Sequence, residues 1–371
     1  MSGDFEQDCL GILENKGKSR GFSRRQFMQL ATMLAAGAPG LLTWKEAAAA
    51  NDELVYVNCG GDASKAHDKA FGEAFRRDTG ILVKQDGSCG TEGKIQAQFE
   101  SGNPTWDVIG SEPFSAENLG KKGMLEEIDY SVVDKNKMRP GFGWKYSAAV
   151  GFYSYVIAYD ASKFGDKVPA GMADFFDVEK FPGKRALYKG GSAVWEALLL
   201  GDGVAPDKLY PLDIDRAHKK LAAFKEHIVA FWGGGAESQS LLLDGDASMA
   251  LIFSTRAGLL EEDTDGKIKF VWDQGILVPG AMSVMKGSPA GKETSMKYIA
   301  AAQDPQKQAV LFELLGYGPG NPAADALIPK ERQRFNCVDP TNMSKQIAID
   351  VAWYETNFTA ALDAYTKIIA A

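Results

Sequence analysis

The sequence predicts an α/β fold built as two lobes. A short apolar strand, a polar loop rich in Gly and Ser, and a helix follow one another three times between residues 54 and 114. This repetition is typical of an open, largely parallel sheet. The length of 371 residues exceeds what one hydrophobic core usually supports. A composition of 45% apolar and 24% charged residues is that of an ordinary globular chain.

An export signal is predicted for residues 1–50. The segment Ser23-Arg24-Arg25-Gln26-Phe27-Met28 resembles a twin-arginine signal and leads into an uncharged stretch over 27–42. That stretch is shorter than the roughly 20 apolar residues that a membrane-spanning helix needs. Ala48-Ala49-Ala50 offers an A-x-A-like cleavage site. We therefore expect a mature periplasmic chain that is not embedded in a membrane; an uncleaved amphipathic N-terminal helix is the alternative.

Charge and residue counts limit the classes of partner and chemistry. The formal net charge is −8, and no stretch concentrates Lys and Arg, which argues against a nucleic-acid partner. With only three histidines and four cysteines, the sequence does not favour a metal site or a histidine-based catalytic centre. No metal and no cofactor is therefore expected.

Three cysteines remain after removal of the signal: Cys59, Cys89 and Cys337. In an oxidising compartment an odd number allows at most one disulfide and leaves one free thiol. Cys59 and Cys89 each follow a predicted strand and could lie near each other, although the sequence does not decide the pairing.

The first half is predicted as three successive strand–loop–helix units. The strands are 54–57, 81–83 and 107–109. The helices are 64–79, which ends at Gly80 as a left-handed C-cap, and 92–100. Because ligands bind beyond the carboxyl ends of parallel strands, the following loops should share one rim. Their candidate binding residues are Asp62, Ser88, Glu112 and Phe114.

The second half follows the same order less regularly. Strands are predicted at 155–159, 186–188 and 248–253, and a short helix at 172–176. Polar residues again follow the strands, in the loop 189–192 and at the start of the helix that begins at residue 254. The candidate binding residues of this half are Tyr153, Ser192, Trp195, Trp232, Thr255, Arg256 and Asp273.

The sequence contains no nucleophile elbow, zinc-protease motif, phosphate-binding loop or C-x-x-C pair. Aromatic side chains beside polar loops are instead typical of proteins that bind a small ligand without transforming it. For Trp195 and Trp232 we favour this interpretation over core packing. The chain is therefore predicted not to be an enzyme.

Several loose motifs occur in a specific order from about Leu54 to the C-terminus. They are Asp107-Val108-Ile109, Met172-Ala173-Asp174-Phe175-Phe176, Phe181-Pro182-Gly183-Lys184, Leu243-Asp244-Gly245-Asp246, Gly316-Tyr317-Gly318-Pro319-Gly320-Asn321-Pro322-Ala323 and Trp353-Tyr354. In this order the chain resembles the extracellular solute-binding proteins of ABC transporters, and more narrowly the spermidine/putrescine-binding (polyamine) family.

The resemblance implies a periplasmic-binding-protein type II fold, with open, mostly parallel sheets in two lobes joined by crossing strands. It places lobe 1 at 51–155 plus 253–288 and lobe 2 at 156–252 plus 289–371. It also implies a monomer that closes over its ligand and delivers it to the permease subunits of an ABC importer.

The ligand expected from the resemblance is an amine, with Phe114 and Trp232 at positions of family aromatics. Most family carboxylates are missing, however, and Gly280 stands where an Asp would be expected. Asp62, Glu112 and Asp273 remain as ammonium partners. Arg256, at a helix start, suits a ligand carboxylate, although a salt bridge within the protein is an equal alternative. We therefore expect a small amine that also bears an acidic group, such as an ω-amino acid.

Two other functions remain open at this point. An exported enzyme on the same two-lobed fold would need catalytic machinery that the motifs do not supply. A receptor for an anionic solute would need more basic loops than this chain has.

Overall fold

The computed structural model describes residues 52–371. The predicted signal, residues 1–50, lies outside the described residues.

One mixed sheet organises the described chain. Its strands are β1 Glu53–Val57, β2 Leu82–Asp86, β3 Val108–Ser111, β4 Ala148–Asp160, β5 Arg185–Tyr188, β6 Ile228–Trp232, β7 Met249–Phe253, β8 Ile268–Val284, β9 Gly318–Pro319 and β10 Ile347–Ala348. The main order across the sheet is β2-β1-β3-β8-β4-β7-β5-β6, with β10 paired to β8 and β9 to β4.

The sheet has a parallel half at each end and antiparallel strands between them. β1 pairs in parallel with β2 and β3, and β5 pairs in parallel with β6 and β7. The long strands β4 and β8 pair antiparallel with each other in the middle. The end of β8 pairs with β3 and the end of β4 pairs with β7, so both strands pass from one half to the other. The predicted α/β class with crossing strands is confirmed; the lobe boundaries stay a prediction.

Helices cover the sheet and connect its strands. We number them α1 (62–79), α2 Glu92–Glu100, α3 Pro113–Lys121, α4 Met172–Phe176, α5 Val194–Gly201, α6 Ile214–Phe224, α7 Gly235–Leu243, α8 Ser254–Asp263, α9 Lys292–Ala302, α10 Pro305–Leu315, α11 Pro340–Met343 and α12 Val351–Ala370. Helix α1 contains a π-helical turn, Asp68–Gly72, between two α-helical segments.

The end of α1 shows how the sequence positions these elements. Gly80 adopts φ 80° and its N–H donates to the Arg76 carbonyl at 2.8 Å, as expected of a left-handed C-cap. On the same helix Phe71 and Phe75 are buried against the first half of the sheet. Capping and apolar spacing therefore agree, and the predicted helix is confirmed with two residues added at its start.

The apolar core follows the two halves of the sheet. One cluster contains Tyr56, Phe71 and Met282 beside β1–β3, and a larger one contains Trp195 and Leu251 beside β4–β7. Each half of the sheet therefore has its own apolar core.

Candidate ligand-binding site

A carboxyl group anchors one side of the candidate site. Glu112 precedes α3 as its N-cap residue, directly after β3. Its Oε1 accepts hydrogen bonds from Tyr153 Oη on β4 and from Ser192 Oγ in the loop after β5, each at 2.9 Å. The structure thus brings together three residues predicted from separate parts of the sequence.

The second oxygen of Glu112 is available to a ligand. Within residues 52–371 no hydrogen bond reaches Oε2. Burial raises the pKa of Glu112, and the bonds from Ser192 and Tyr153 oppose that rise because they favour the ionised form. Burial also raises the pKa of Tyr153, so its phenol remains a donor. The arrangement is suited to hold a cation against a partly desolvated carboxylate.

Five aromatic side chains form what we call the aromatic cluster: Tyr153, Tyr155, Tyr188, Trp232 and Phe253. Ring centroids lie 4.6 Å apart for Tyr188 and Trp232, 5.0 Å for Trp232 and Phe253, and 5.4 Å for Tyr153 and Phe253. Aromatic faces of this kind attract an ammonium group and cover the carbon chain of a ligand. Tyr153, a member of the aromatic cluster, also donates a hydrogen bond to Glu112.

Strand register explains the aromatic cluster. Tyr155 is the register partner of Phe253, and Tyr188 is the partner of Trp232. Tyr153 and Tyr155 are two residues apart on β4, so they share one face. Tyr188, Trp232 and Phe253 are the last residues of β5, β6 and β7. The sequence analysis did not predict Tyr188 and Phe253 as site residues. Their position at the ends of strands is the feature that could have predicted them.

A guanidinium lies at the start of α8, the helix that follows β7, the last strand that contributes to the aromatic cluster. Arg256, in the first turn of α8, is 8% exposed and follows Phe253 by three residues. Its Nη1 lies 3.3 Å from Asp62 Oδ2, at the start of α1. A Cβ built on Gly235 would stand 2.6 Å from Arg256 Nε, so the side chain lies against the loop that follows Trp232. Burial lowers the pKa of Arg256 and Asp62 opposes this.

Arg256 differs from the structural arginine of the same half. Arg185 donates to four backbone carbonyls, those of Phe175, Asp177, Phe181 and Gly183. Among the described residues, Arg256 has the single long bond to Asp62. A buried guanidinium with so few acceptors is suited to receive a ligand carboxylate.

Phe114 and Trp195 lie outside the aromatic cluster, within the apolar core. Trp232, although part of the aromatic cluster, is fully buried in the same core and its Nε1 donates to the Leu251 carbonyl at 3.1 Å, so both tryptophans pack in the core, contrary to the interpretation favoured from the sequence. The Phe114 ring packs 4.8 Å from both Tyr354 and Phe358 of α12. Trp195 is fully buried, and its Nε1 lies 3.2 Å from His218 Nε2. Helix α12 packs over α3 and encloses both rings, which is why their proximity to polar loops in the sequence does not place them at the rim.

The remaining predicted residues lie apart from the aromatic cluster. Asp273 pairs with Lys345 at 3.3 Å, and both side chains are 45% exposed. Ser88 is exposed and donates its N–H to Asp86 at 2.8 Å. Thr255 is buried beside Gly316, at the end of α10.

Tyr317 extends the site in a way that the sequence did not indicate. Its ring stacks on Tyr153 with centroids 6.1 Å apart and planes at 22°. A Cβ on Gly151 would come within 2.5 Å of this ring, and one on Gly280 within 1.5 Å of its hydroxyl. The two glycines therefore make room for Tyr317 where the resemblance led us to expect an Asp.

A disulfide joins two of the rim loops. Cys59 and Cys89 are bonded, linking the loop before α1 to the loop before α2, while Cys337 is a buried free thiol. Asp62 lies three residues after Cys59, so the bond holds the loop that carries the partner of Arg256.

Neither a metal-binding group of side chains nor a membrane-spanning helix is found in the described residues. Residues 52–371 contain no group of three or more His, Cys, Asp or Glu side chains that could hold a metal. In the same range no helix is long and apolar enough to cross a membrane.

Similarity to known proteins identifies the family of this chain. Residues 70–334 match the family described as bacterial extracellular solute-binding protein. A gamma-aminobutyric acid-binding protein of Pseudomonas aeruginosa is 31% identical over 321 residues, covering 85% of this chain and 90% of that protein. The solved structure of a GABA receptor is 36% identical with a TM-score of 0.78, covering 85% of this chain and 97% of that one.

The polyamine binders are also relatives, at a greater distance. A spermidine/putrescine-binding periplasmic protein of Haemophilus influenzae is 22% identical over 279 residues, covering 70% of this chain and 74% of that protein. The relationship is thus shown for the broad class that the motifs indicated, without the narrower polyamine family. The chain belongs to the bacterial extracellular solute-binding proteins, the ligand-binding components of ABC transporters.

Proposed function

We propose that this protein is a periplasmic receptor for a short ω-amino acid such as γ-aminobutyrate, which it delivers to an ABC permease. The observation that carries the proposal is the presence of one carboxyl group, on Glu112, bonded by Tyr153 of the aromatic cluster, and of one sparsely bonded guanidinium, on Arg256, in the helix that follows Phe253 of the same cluster. The ligand's ammonium group binds Glu112 Oε2, its carboxylate binds Arg256, and its carbon chain lies along the aromatic rings.

A zwitterion satisfies both buried charges at once. An unpaired charge in a site of this kind costs several kcal/mol, so each end of the ligand needs its opposite partner. A diamine would place its second ammonium beside Arg256, and a dicarboxylate would place an anion beside Glu112. The similarity to two proteins that bind γ-aminobutyrate supports the same class of ligand.

Closure over the ligand completes the proposed cycle. The Glu112–Ser192 contact joins the residue after β3, in the first predicted lobe, to the loop after β5, in the second. In this proposal the two predicted lobes, 51–155 with 253–288 and 156–252 with 289–371, close as a monomer. An exported twin-arginine precursor, cleaved near Ala50, supplies the mature receptor.

Calorimetric titration of the purified mature protein with three four-carbon compounds tests the ligand class. γ-Aminobutyrate, putrescine and succinate present a zwitterion, a dication and a dianion over similar lengths. We expect measurable binding of γ-aminobutyrate and much weaker binding of the other two. Preference for putrescine would make the protein a polyamine receptor, and preference for succinate an anion receptor. Turnover of bound ligand, detected by mass spectrometry, would instead indicate an enzyme.

A further inference from the structure

A buried polar network lies beneath the loop that carries Ser192. Glu196 on α5 is fully buried and accepts a hydrogen bond from Tyr210 Oη at 2.5 Å. Tyr354 Oη, on α12, lies 2.9 and 2.8 Å from the two oxygens of Glu196. The same Tyr354 hydroxyl accepts the N–H of Ala193 at 3.0 Å. The network thus reaches the residue next to Ser192.

Ala193 is held in an unfavourable backbone conformation. Its φ is 64°, in the left-handed region that residues with a Cβ adopt at a cost, and it is fully buried at the start of α5. Such a conformation persists only where surrounding contacts determine it, and the bond to Tyr354 is one such contact. The orientation of Ser192, one residue earlier, depends on this backbone.

The ring of Tyr354 and its hydroxyl have separable roles. The ring packs 4.8 Å from Phe114 and 5.9 Å from Trp195, which is a core contact that Phe would preserve. The hydroxyl bridges Glu196 and the Ala193 N–H, and packing does not require either bond. Removal of the hydroxyl alone therefore isolates the polar network.

We propose that Tyr354 and Glu196 are positioning residues that hold the Ser192 hydroxyl on Glu112 Oε1. The ligand assigned to Glu112 rests on the proposed function, whereas the positioning itself concerns the ligand-free protein. Through these hydrogen bonds, helix α12 determines the geometry of the Glu112 carboxyl group at the rim of the sheet.

The titration of Glu112 in the ligand-free protein is the direct test. Carboxyl carbons labelled with ¹³C are followed by NMR in the wild type and in Tyr354→Phe, with Glu112→Gln identifying the Glu112 signal. The Ser192 bond favours the ionised carboxylate, so its loss raises the Glu112 midpoint. Other groups that face or influence Glu112 are Glu92, Tyr153, Tyr155, Tyr188, Glu196 and Tyr317.

Two further variants separate positioning from general damage. Tyr130→Phe removes a comparable phenol, which donates to the Trp144 carbonyl at 2.6 Å, and should leave the Glu112 midpoint unchanged. Ala193→Gly in the Tyr354→Phe background should restore the midpoint in part, because Gly adopts a positive φ without the Cβ cost. A merely structural loss would not be rescued by Gly.

The affinity for γ-aminobutyrate is the second measurement that tests the positioning role. We expect Tyr354→Phe to bind it roughly fivefold more weakly, the effect of about one hydrogen bond, with partial recovery in the Ala193→Gly double variant. A shifted Glu112 midpoint in a protein whose wild type binds no γ-aminobutyrate supports positioning and rejects the proposed ligand. An unchanged midpoint in a folded Tyr354→Phe protein overturns the positioning role whatever the ligand.

Discussion

The Tyr317 hydroxyl occupies the space in which a side chain on residue 280 would begin. A Cβ on Gly280 would lie 1.5 Å from Tyr317 Oη, much closer than any two non-bonded atoms can approach. The absence of a side chain on Gly280 and the presence of the Tyr317 ring are therefore one structural feature. It places an aromatic ring against Tyr153 where a second carboxylate would favour a diamine.

Substitution of Gly280 tests this relationship. Gly280→Asp should lower stability by about 2 kcal/mol or more, because the new side chain must displace the Tyr317 ring. Gly280→Asp combined with Tyr317→Ala provides the space and adds a carboxylate, so calorimetry should show a shift in preference from γ-aminobutyrate towards putrescine. Tyr317→Ala alone is the control for added volume. A double variant with unaltered preference would contradict this account.

Arg256 should affect binding far more than folding. Arg256→Gln removes the proposed carboxylate partner and should weaken γ-aminobutyrate binding by about 2–5 kcal/mol, with little change in Tm. Arg185→Gln should instead lower Tm and leave γ-aminobutyrate binding largely unchanged, because it leaves four backbone carbonyls without their donor. Thermal unfolding measures Tm and calorimetry measures γ-aminobutyrate affinity for both variants, which distinguishes a binding role of Arg256 from a structural one. Equal losses of Tm would make Arg256 another structural arginine.

Glu196 should make stability depend on pH in the weakly acidic range. Burial raises the pKa of Glu196 from its usual 4.5 to about 6. The folded protein then binds a proton more readily than the unfolded chain, so the contribution is fully present below about pH 4.5. It is lost as the pH rises through about 6, by roughly 2 kcal/mol.

The matched variants for this pH dependence are Glu196→Gln and Glu331→Gln. Denaturant unfolding between pH 4 and 7 should show a smaller decline with rising pH in Glu196→Gln than in the wild type. Glu331 is exposed, so its variant should follow the wild type. Identical slopes in all three proteins would show that Glu196 titrates alike in both states.

Reduction of the Cys59–Cys89 disulfide should destabilise the protein. The bond closes a loop with a sequence separation of 30, for which chain entropy predicts about 3.6 kcal/mol. A reducing agent should therefore lower Tm, and Cys59→Ser with Cys89→Ser should lower it without reductant. Cys337→Ala should retain the response to reductant, because that thiol is free. A wild-type Tm that reductant leaves unchanged would reject the prediction.

Local sequence signals predicted a large part of the fold. Three strands of the first half, the helix ending at Gly80 and the strand at 186–188 lie close to their predicted bounds. These elements have a period, a cap or a turn that neighbouring residues determine. The strand β8 was missed because Gly275, Pro279 and Gly280 interrupt it, and such residues usually argue against a strand. Pairing with β3 and β4 maintains it across those positions.

The sequence predicted the charged members of the candidate site, together with Ser192 and two of the aromatic residues, Tyr153 and Trp232, but not the rest of the aromatic cluster. Glu112 directly follows a strand and Arg256 lies in the first turn of the helix after a strand, where ligands bind in sheets of this class, and the sequence shows both positions. Tyr188 and Phe253 were not predicted, because cross-strand register joins segments far apart in the chain.

The sequence by itself indicated the class of protein, the rim of the sheet proposed to bind the ligand, and the acid and the guanidinium proposed as its partners. Only the tertiary structure decided which aromatic rings lie beside them. Phe114 and Trp195 became core residues because α12, at the far end of the chain, covers them. Tyr317 came to Tyr153 because Gly151 and Gly280 leave space for it. Local patterns report the neighbours along the chain, whereas packing depends on residues that only folding brings together.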